Sequence, residues 1–310
     1  MRVFALLLAL ASMSLAQIKL GIIGTDTSHV SAFAKVLNDP NSPDRIPGAV
    51  IVAAYKGGSP DVESSYSRVD KYAEELRTKW NVEIVDSIPA LCAKVDAVLL
   101  ESVDGRTHLE QAKPVIAAGK PLFIDKPLSS TLDDAREIAR LAKEAGVPWF
   151  SSSSLRYSDL VTTMKRPDAS AVITWGPGPL EPHHYLDLSW YGIHATEVLY
   201  AILGPGCEEV TRFSTPDGDI ITGRWKDGRT GTVKTLRDSY KYGAVVFRPK
   251  EVLQSSPDAK FSYTSLLKEI IKFFETKQPP VPNEETLEMF AFMDAAQRSK
   301  EAGGRPMKLR

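Results

Sequence analysis

The sequence has few cysteines, no long apolar run and no marked excess of either charge. Its 310 residues include two cysteines, Cys92 and Cys207, and one possible pair does not make a disulfide framework. Both lie in apolar surroundings, so we interpret them as buried thiols. The 38 basic and 39 acidic side chains give a net charge of -1, which provides no electrostatic reason to expect nucleic acid or an anionic membrane as a partner. No segment reaches the roughly 18 to 20 apolar residues that a membrane-spanning helix needs.

The N-terminus differs from the rest of the chain. Arg2 precedes an apolar run at 3–11, and Ser14 and Ala16 place small residues at the two positions that a signal peptidase recognises. This pattern predicts a secretory signal over 1–16, cleaved after Ala16, and a periplasmic or extracellular location. A single arginine favours export as an unfolded chain. The alternative is an apolar extension of the first strand.

The first half of the chain alternates between apolar, strand-like runs and helical patterns. Strands that are apolar throughout and separated by helices indicate a parallel sheet covered on both faces. We therefore expect a Rossmann-type, nucleotide-binding-like domain over 17–150. The predicted strands are 19–23, 49–55, 97–101, 122–124 and 148–151, and the predicted helices are 31–37, 68–79, 88–93, 109–118 and 132–145.

Beyond residue 151 the alternation stops. Turn signals "PDGD" and "KDGR" separate successive strand patterns, as in an antiparallel meander. We expect an α+β domain over 151–310 with a mainly antiparallel sheet, whose open face would suit a homo-oligomer. Its predicted strands are 209–214, 219–225, 230–236 and 244–248, and its predicted helices are 192–203, 263–275 and 284–301.

The stretch "GIIGTDTSHV" at 21–30 lies where a strand meets a helix, the position of a dinucleotide-binding turn. The fingerprint G-x-G-x-x-G is incomplete, because the chain has Gly24, Asp26 and His29 at the three glycine positions. The second glycine lets the backbone approach the pyrophosphate. We expect Asp26 to block that approach and to add a repelling charge. Aspartate tolerates unusual backbone angles, so the turn itself is expected to persist.

The stretch 95–148 resembles the Gfo/Idh/MocA family of sugar and polyol oxidoreductases. The family's "H-x-x-x-A…AGK" helix corresponds to His108, Ala112 and 118–120, and its E-K-P motif corresponds to "DKP" at 125–127. Further along, "WYGIHATEVLYAILG" resembles the family's D-x-G-x-H-x-x-D motif, and the end of the chain resembles its closing helix. The resemblance covers nearly the whole chain after residue 16. It implies a Rossmann-type domain followed by an α+β domain with a large antiparallel sheet.

The resemblance also implies an oxidoreductase that acts on a sugar or polyol with NAD or NADP. By position, Lys126 and His194 correspond to the family's catalytic lysine and histidine. A cation lowers the pKa of the substrate hydroxyl, and an imidazole takes its proton as hydride leaves. Trp190 replaces one family aspartate, whereas Glu197 keeps a carboxylate on the helical face of His194. The alternatives are that Lys126 is a solvated lysine at a strand end and that His194 is a core histidine.

The cofactor-binding residues follow from the same resemblance. Lys56 ends the second strand, where NAD-binding members usually carry an acid for the ribose hydroxyls. A lysine there either favours the 2′-phosphate of NADP or has no bearing on the choice. The implied cofactor-binding set is Gly21, Gly24, Thr25, Asp26, His29, Lys56, Asp125 and Lys126.

Three of the five histidines lie within twelve residues, in "EPHHYLDLSWYGIHATE". His183, His184, His194 and Glu197 are therefore an alternative set of ligands for a divalent metal, although no tight motif such as H-E-x-x-H is present. Without a metal, His183 and His184 are candidate substrate contacts or surface histidines. Arg156, at the domain junction, either reaches a polar substrate or braces the two domains.

Two classes of function are open at this point. The first is the NAD(P)-dependent oxidoreductase. The second is a non-redox descendant, such as a lyase, a hydrolase or a carbohydrate-binding protein, that uses the same cleft without cofactor turnover. The second class accounts for Asp26 and for the predicted export signal. Both predict a small carbohydrate as the partner.

Overall fold

The computed structural model describes residues 17–310, so the predicted signal over 1–16 lies outside the described residues and stays a prediction. The first domain is built on a six-stranded, wholly parallel sheet with the strand order β3-β2-β1-β4-β5-β6. This is the order of a dinucleotide-binding doubly wound fold. Its strands are β1 (Ile18–Ile23), β2 (Ala49–Tyr55), β3 (Glu83–Val85), β4 (Ala97–Leu100), β5 (Leu122–Asp125) and β6 (Trp149–Ser152).

Helices cover both faces of this sheet. Thr27 caps the first of them through its hydroxyl, and Gly146 ends the last in the left-handed conformation. The expected parallel sheet with two covered faces is confirmed. The helices are α1 (Ser28–Asn38), α2 (Glu63–Tyr66), α3 (Val69–Trp80), α4 (Ile88–Cys92), α5 (His108–Ala117) and α6 (Leu132–Ala145).

The second domain contains a seven-stranded sheet with the order β12-β11-β7-β10-β9-β8-β13. The predicted meander is confirmed for β8, β9 and β10, which pair antiparallel. β7 pairs parallel with β10, so the sheet is mixed but mainly antiparallel. Its strands are β7 (Ala171–Pro177), β8 (Cys207–Thr215), β9 (Gly218–Trp225), β10 (Thr230–Leu236), β11 (Gly243–Arg248), β12 (Glu251–Gln254) and β13 (Met307–Lys308).

Five helices accompany this sheet: α7 (Asp159–Thr162), α8 (Asp187–Trp190), α9 (Gly192–Leu203), α10 (Tyr263–Thr276) and α11 (Asn283–Glu301). α10 packs against the first domain instead of against the second sheet. Its buried residues Leu266, Ile270 and Phe273 join the core that contains Phe33 and Phe150 of the first domain. The predicted boundary at residue 150 stays a prediction: it falls within β6 (Trp149–Ser152), and α10 completes the core of the first domain. Within residues 17–310, no helix is both long and apolar enough to cross a membrane.

The second sheet contains a buried network of charges. Arg212 is fully buried and donates hydrogen bonds to Asp187 and Asp219 at 2.7 to 3.0 Å. Burial alone would raise the pKa of Asp219, but the Ser214 hydroxyl and the guanidinium of Arg212 hold it well below its usual range. Removing one partner of such a network leaves a buried charge without compensation.

We predict that Asp219→Asn lowers the free energy of unfolding by about 3 to 5 kcal/mol at neutral pH. Because the pKa of Asp219 is depressed in the folded state, its contribution is present above the unfolded pKa and is lost as the pH falls through the folded pKa. Urea unfolding from pH 7 downward should therefore show the two proteins converging in stability at acid pH. The exposed Asp227→Asn is the control. Equal stability of Asp219→Asn and wild type at pH 7 would contradict this account.

Candidate active site

Charged side chains converge where the strand order reverses, between β1 and β4. His29 lies in the first turn of α1, Glu101 directly follows β4, and Asp125 ends β5, with Lys126 next to it. Open α/β sheets bind ligands in the crevice at the carboxyl ends of their strands, at such a switch point. The topology thus assembles these four residues from three separate parts of the chain.

A cavity of about 310 Å³ opens between the two domains at this edge. His29, Arg68 and Lys126 line it from the first domain, and His194 lines it from the second. Sites for small molecules are typically roughly 300 to 1,000 Å³ in volume. The cavity therefore suits a small polar molecule between charged and aromatic walls. The aromatic residues that line it are Tyr191, Tyr240, Tyr242, Phe261 and Tyr263.

His29 forms ion pairs with two buried carboxylates. Its Nδ1 lies 2.8 Å from Asp125 Oδ2 and 3.6 Å from Glu101 Oε2. Burial alone would lower the pKa of His29, but the charges of Asp125 and Glu101 raise it to about 9. Burial, together with the charge of Asp125, raises the pKa of Glu101 to about 7. At neutral pH, His29 is therefore an imidazolium that balances the carboxylate of Asp125.

Lys126 is 9% exposed, so it is not a solvated lysine at a strand end. Burial lowers the pKa of its ammonium group, against the opposing effect of the charges of Asp125 and Glu101. Its Nζ lies 5.4 Å from the centroid of the Tyr191 ring, within the range of a cation–π contact. The ammonium group therefore lies over an aromatic ring at the cavity, and two buried carboxylates favour its charge.

His194 lies on α9 and reaches the cavity from the second domain. Its Nδ1 contacts the Ser153 hydroxyl at 2.8 Å, and within residues 17–310 its Nε2 has no hydrogen-bond partner. Burial, followed by the charge of Lys126, lowers the pKa of His194 well below 6.5. The ring is edge-on to Tyr191 and Tyr242. His194 is therefore a neutral imidazole whose orientation is fixed by Ser153, and it can accept a proton.

Glu197 does not share a point with His194, contrary to the expectation from helical spacing. Its carboxylate accepts hydrogen bonds from the Ser152 hydroxyl at 2.7 Å, the Ser153 amide at 2.9 Å and Arg156 Nε at 2.8 Å. These hydrogen bonds hold the carboxylate at the domain junction, and Glu197 does not line the cavity. Glu197 acts on the site only by fixing Ser153, the residue that holds His194.

Arg156 braces the two domains and does not reach the cavity. Besides Glu197, its guanidinium pairs with Glu285 on α11 at 2.7 Å. The arginine comes from the segment after β6, so this contact ties the first sheet to two helices of the second domain. The bracing interpretation of Arg156 therefore agrees with the structure, and the substrate-contact interpretation does not.

His183 and His184 also lie away from the cavity. His183 is on the surface, 2.6 Å from Glu181. His184 is buried and contacts Asp104 at 3.0 Å and Ser189 at 3.1 Å. The predicted metal set of His183, His184, His194 and Glu197 is therefore not brought together, because only His194 lines the cavity while the other three side chains are paired elsewhere.

The incomplete fingerprint nevertheless forms a tight turn. Gly24 has a φ of +90°, and a Cβ there would lie 2.3 Å from the Ser102 amide nitrogen. Asp26 is fully buried and accepts hydrogen bonds from the Ser65 hydroxyl at 2.6 Å and the Val103 amide at 3.2 Å. Burial raises the pKa of Asp26. The expectation that its side chain blocks the turn is wrong, because the carboxyl group points into the domain.

The other residues of the predicted cofactor set have varied environments. Gly21 packs against Leu91 within the domain, where a Cβ would come within 2.9 Å. The Thr25 hydroxyl donates to the Val69 carbonyl at 2.9 Å. Lys56 is half-exposed and pairs with Asp70 at 2.8 Å. None of these three lines the cavity, whereas His29 and Lys126 do.

Sequence inspection missed Glu101, Ser153 and Arg68. A carboxylate directly after an apolar strand was a usable signal for Glu101, because Asp125 occupies the same position on β5. The sequence carries no comparable signal for Ser153 or Arg68, since their importance depends on contacts with distant elements.

A family model described as an oxidoreductase family with an NAD-binding Rossmann fold matches residues 18–153. The first domain of this chain is thus similar to the NAD-binding domain of the Gfo/Idh/MocA family. The match covers the whole of the first domain and includes His29, Glu101, Asp125 and Lys126.

Several curated relatives resemble parts of the chain. Inositol 2-dehydrogenase of Klebsiella pneumoniae is 31% identical over 132 residues, which is 42% of this chain and 34% of that protein. Inositol 2-dehydrogenase of Paracoccus denitrificans is 48% identical over 54 residues, 17% of this chain and 16% of that protein. 1,5-Anhydro-D-fructose reductase of Ensifer adhaerens is 45% identical over 62 residues, 20% of this chain and 18% of that protein. The matches span about a third or less of these relatives.

Two solved structures match the chain along nearly its full length. Myo-inositol dehydrogenase from Lactobacillus casei, in complex with NAD(H) and myo-inositol, superimposes with a TM-score of 0.74 and 17% identity over 95% of this chain and 97% of that one. GenD2 from gentamicin A biosynthesis, in complex with NAD, gives a TM-score of 0.75 and 14% identity, over 95% of this chain and 97% of that one. At this identity, the likeness establishes the two-domain fold alone.

We predict that Asp26→Gly restores the missing fingerprint glycine but does not tighten dinucleotide binding. The carboxyl group already points away from the turn, and its loss leaves the Ser65 hydroxyl and the Val103 amide without an acceptor. Leaving such groups unpaired costs about 1 to 3 kcal/mol of unfolding free energy. Urea unfolding and calorimetric titration with NAD and NADP measure the two effects, with Asp26→Asn as the isosteric control. A tenfold gain in cofactor affinity at unchanged stability would contradict this prediction.

Proposed function

We propose that this protein is an NAD(P)-dependent oxidoreductase that interconverts a secondary alcohol and a ketone on a sugar or polyol. The observation that carries the proposal is the placement of Lys126 and a neutral His194 on one cavity at the switch point of the first sheet. The similarity of the first domain to the family supports the reaction class, and function resides in such sites more than in the fold.

The residues around the turn fit a dinucleotide. The N-terminus of α1 faces the cavity through Thr27 and Ser28, and its first turn contains no acidic residue. With Asp26 turned inward, the amide groups of this turn are free of a competing carboxylate. Arg68 lines the same cavity and offers a guanidinium group for a phosphate. The helix N-terminus and Arg68 would together hold the pyrophosphate, and the bound nicotinamide would accept or supply the hydride.

The chain's own residues account for the proton. A substrate hydroxyl in the cavity would lie between Lys126, whose positive charge favours an alkoxide, and His194, which is neutral and can take the proton. Ser153 fixes the His194 ring through Nδ1, which leaves Nε2 as the nitrogen for proton transfer. The charges of Asp125 and Glu101 favour the ammonium form of Lys126.

The relatives narrow the class of substrate. Two of the similar proteins are inositol 2-dehydrogenases, and a third is an anhydrofructose reductase. All three names describe a ring with several hydroxyl groups. Tyr191, Tyr242 and Tyr263 offer this cavity phenol groups and ring faces for such a molecule. We therefore propose a cyclic polyol or a sugar as the substrate.

Lys126→Ala is expected to lower kcat/KM by roughly 10² to 10⁴, the usual effect of losing a residue that assists proton transfer. Initial rates on a panel of inositols and sugars, with NAD and with NADP, measure the change. Lys113→Ala is the control, since Lys113 is an exposed lysine on α5 that pairs with Glu110. If Lys126→Ala kept full activity while losing stability, the lysine would be structural.

Arg68→Ala is expected to weaken the binding of NAD(P) at least tenfold, because one charge-assisted contact with a phosphate is worth about 1.5 to 3 kcal/mol. Calorimetric titration of each cofactor measures the effect. Arg77→Ala is matched to it, because Arg77 lies on the exposed face of α3 and pairs with Glu74. Failure of the wild type to bind either cofactor, together with no turnover on the panel, would overturn the proposed function.

A further inference from the structure

We propose that His29, Glu101 and Asp125 form a binding site for a divalent transition-metal ion, such as Zn²⁺ or Mn²⁺, at the edge of the cavity. Within residues 17–310, this is the one group of three or more potential ligands whose donor atoms all lie within 4.8 Å of one another. One imidazole and two carboxylates form a donor set suited to these ions. The inference does not depend on the proposed redox function.

The spacing of the donor atoms fits a shared ion. Zinc–nitrogen and zinc–oxygen bonds are about 2.0 to 2.2 Å long, so neighbouring ligand atoms around one ion lie about 3.0 to 3.5 Å apart. His29 Nδ1 is 2.8 Å from Asp125 Oδ2 and 3.6 Å from Glu101 Oε2, which brackets that range. Small movements of the side chains would bring all three atoms to bonding distance.

Glu101 provides the second, independent observation. It is 0% exposed, and beyond the contact with His29 at 3.6 Å neither of its carboxyl oxygens has a hydrogen-bond partner among residues 17–310. His29 Nδ1 also lacks a hydrogen bond of acceptable geometry, even though it lies close to both carboxylates. Buried polar atoms are nearly always paired, and a buried carboxyl group without partners is costly. A directly bound cation would supply the missing partner to both side chains at once.

The position also suggests what the ion would do. His29 and Lys126 line the cavity, so the ion would lie at its wall. The two carboxylates would neutralise a divalent ion, and the charge of Lys126 would remain for an oxyanion in the cavity. Such a site would favour a substrate that carries adjacent hydroxyl oxygens, one of which ionises.

Metal binding can be measured without any assay of turnover. The purified protein is stripped with a chelator and titrated calorimetrically with Zn²⁺ and, separately, with Mn²⁺ at neutral pH. We expect about one equivalent of at least one ion to bind to the wild type. Glu101→Gln and Asp125→Asn keep the side-chain shapes, and we expect each to weaken binding at least tenfold.

The surface of the protein offers a matched control. His183 pairs with Glu181 at 2.6 Å and lies 3.8 Å from Asp61, so it is an exposed group of the same residue types. Glu181→Gln should therefore bind the ion as the wild type does. Loss of binding in this variant would place the ion on the surface and overturn the proposal.

A structural role of Glu101 is distinguished by thermal unfolding. The wild type should melt at a higher temperature with the ion than without it, because a ligand that binds the folded state stabilises it. Glu101→Gln should show no such shift. If Glu101→Gln fails to fold, Asp125→Asn and the wild-type titration decide the matter. No binding by the wild type, or an affinity equal to that of the wild type in both Glu101→Gln and Asp125→Asn, would refute the site.

Discussion

Two buried carboxylates determine the arrangement of charge in this crevice. β4 and β5 are apolar strands, and each delivers one carboxylate, Glu101 or Asp125, to the carboxyl edge of the sheet. Charges in such surroundings must be compensated: His29 on α1 lies 2.8 Å from Asp125 and 3.6 Å from Glu101, and the positive charge of Lys126 after β5 lies close enough to contribute. His194 then faces an ammonium group across the cavity, and this helps to keep its imidazole neutral. The proton chemistry proposed for the site therefore depends on the two acids.

The residues that sequence inspection located correctly are those fixed by local pattern. Lys126 follows a short apolar strand, and His194 lies on a helix whose limits are marked by apolar residues and a following glycine. The strand end placed Lys126 at the crevice, whereas His194 was assigned from the resemblance of its helix to a family motif. The parallel sheet was predictable from the local alternation of strands and helices. β7 was missed, and its parallel pairing with β10 depends on a contact about 60 residues away that leaves no local mark.

The errors concern side chains whose direction depends on distant partners. Asp26 points inward because Ser65 and Val103, which are 39 and 77 residues away, offer it hydrogen bonds. Glu197 has the helical spacing expected of a partner for His194, yet Ser152, Ser153 and Arg156 hold it at the domain junction. In both cases the residue type suggested a role at the site, while hydrogen-bond geometry assigned a structural one. The spacing of residues along one helix or turn cannot show that a distant hydrogen-bond partner will turn a side chain away from the site.

The inward orientation of Asp26 changes the comparison between the two classes of function. Its expected charge at the pyrophosphate position was one of the two features that favoured a non-redox descendant, and the structure removes it. The departure from the fingerprint that still faces the cavity is His29, which replaces the third glycine. This substitution is coupled to Glu101, because a histidine at that position brings an imidazole to within 3.6 Å of a carboxylate that otherwise has no partner. Whether a proton or a divalent ion joins the two side chains determines how much positive charge the crevice presents to its ligand. The same histidine therefore links the altered cofactor turn to the chemistry of the substrate site.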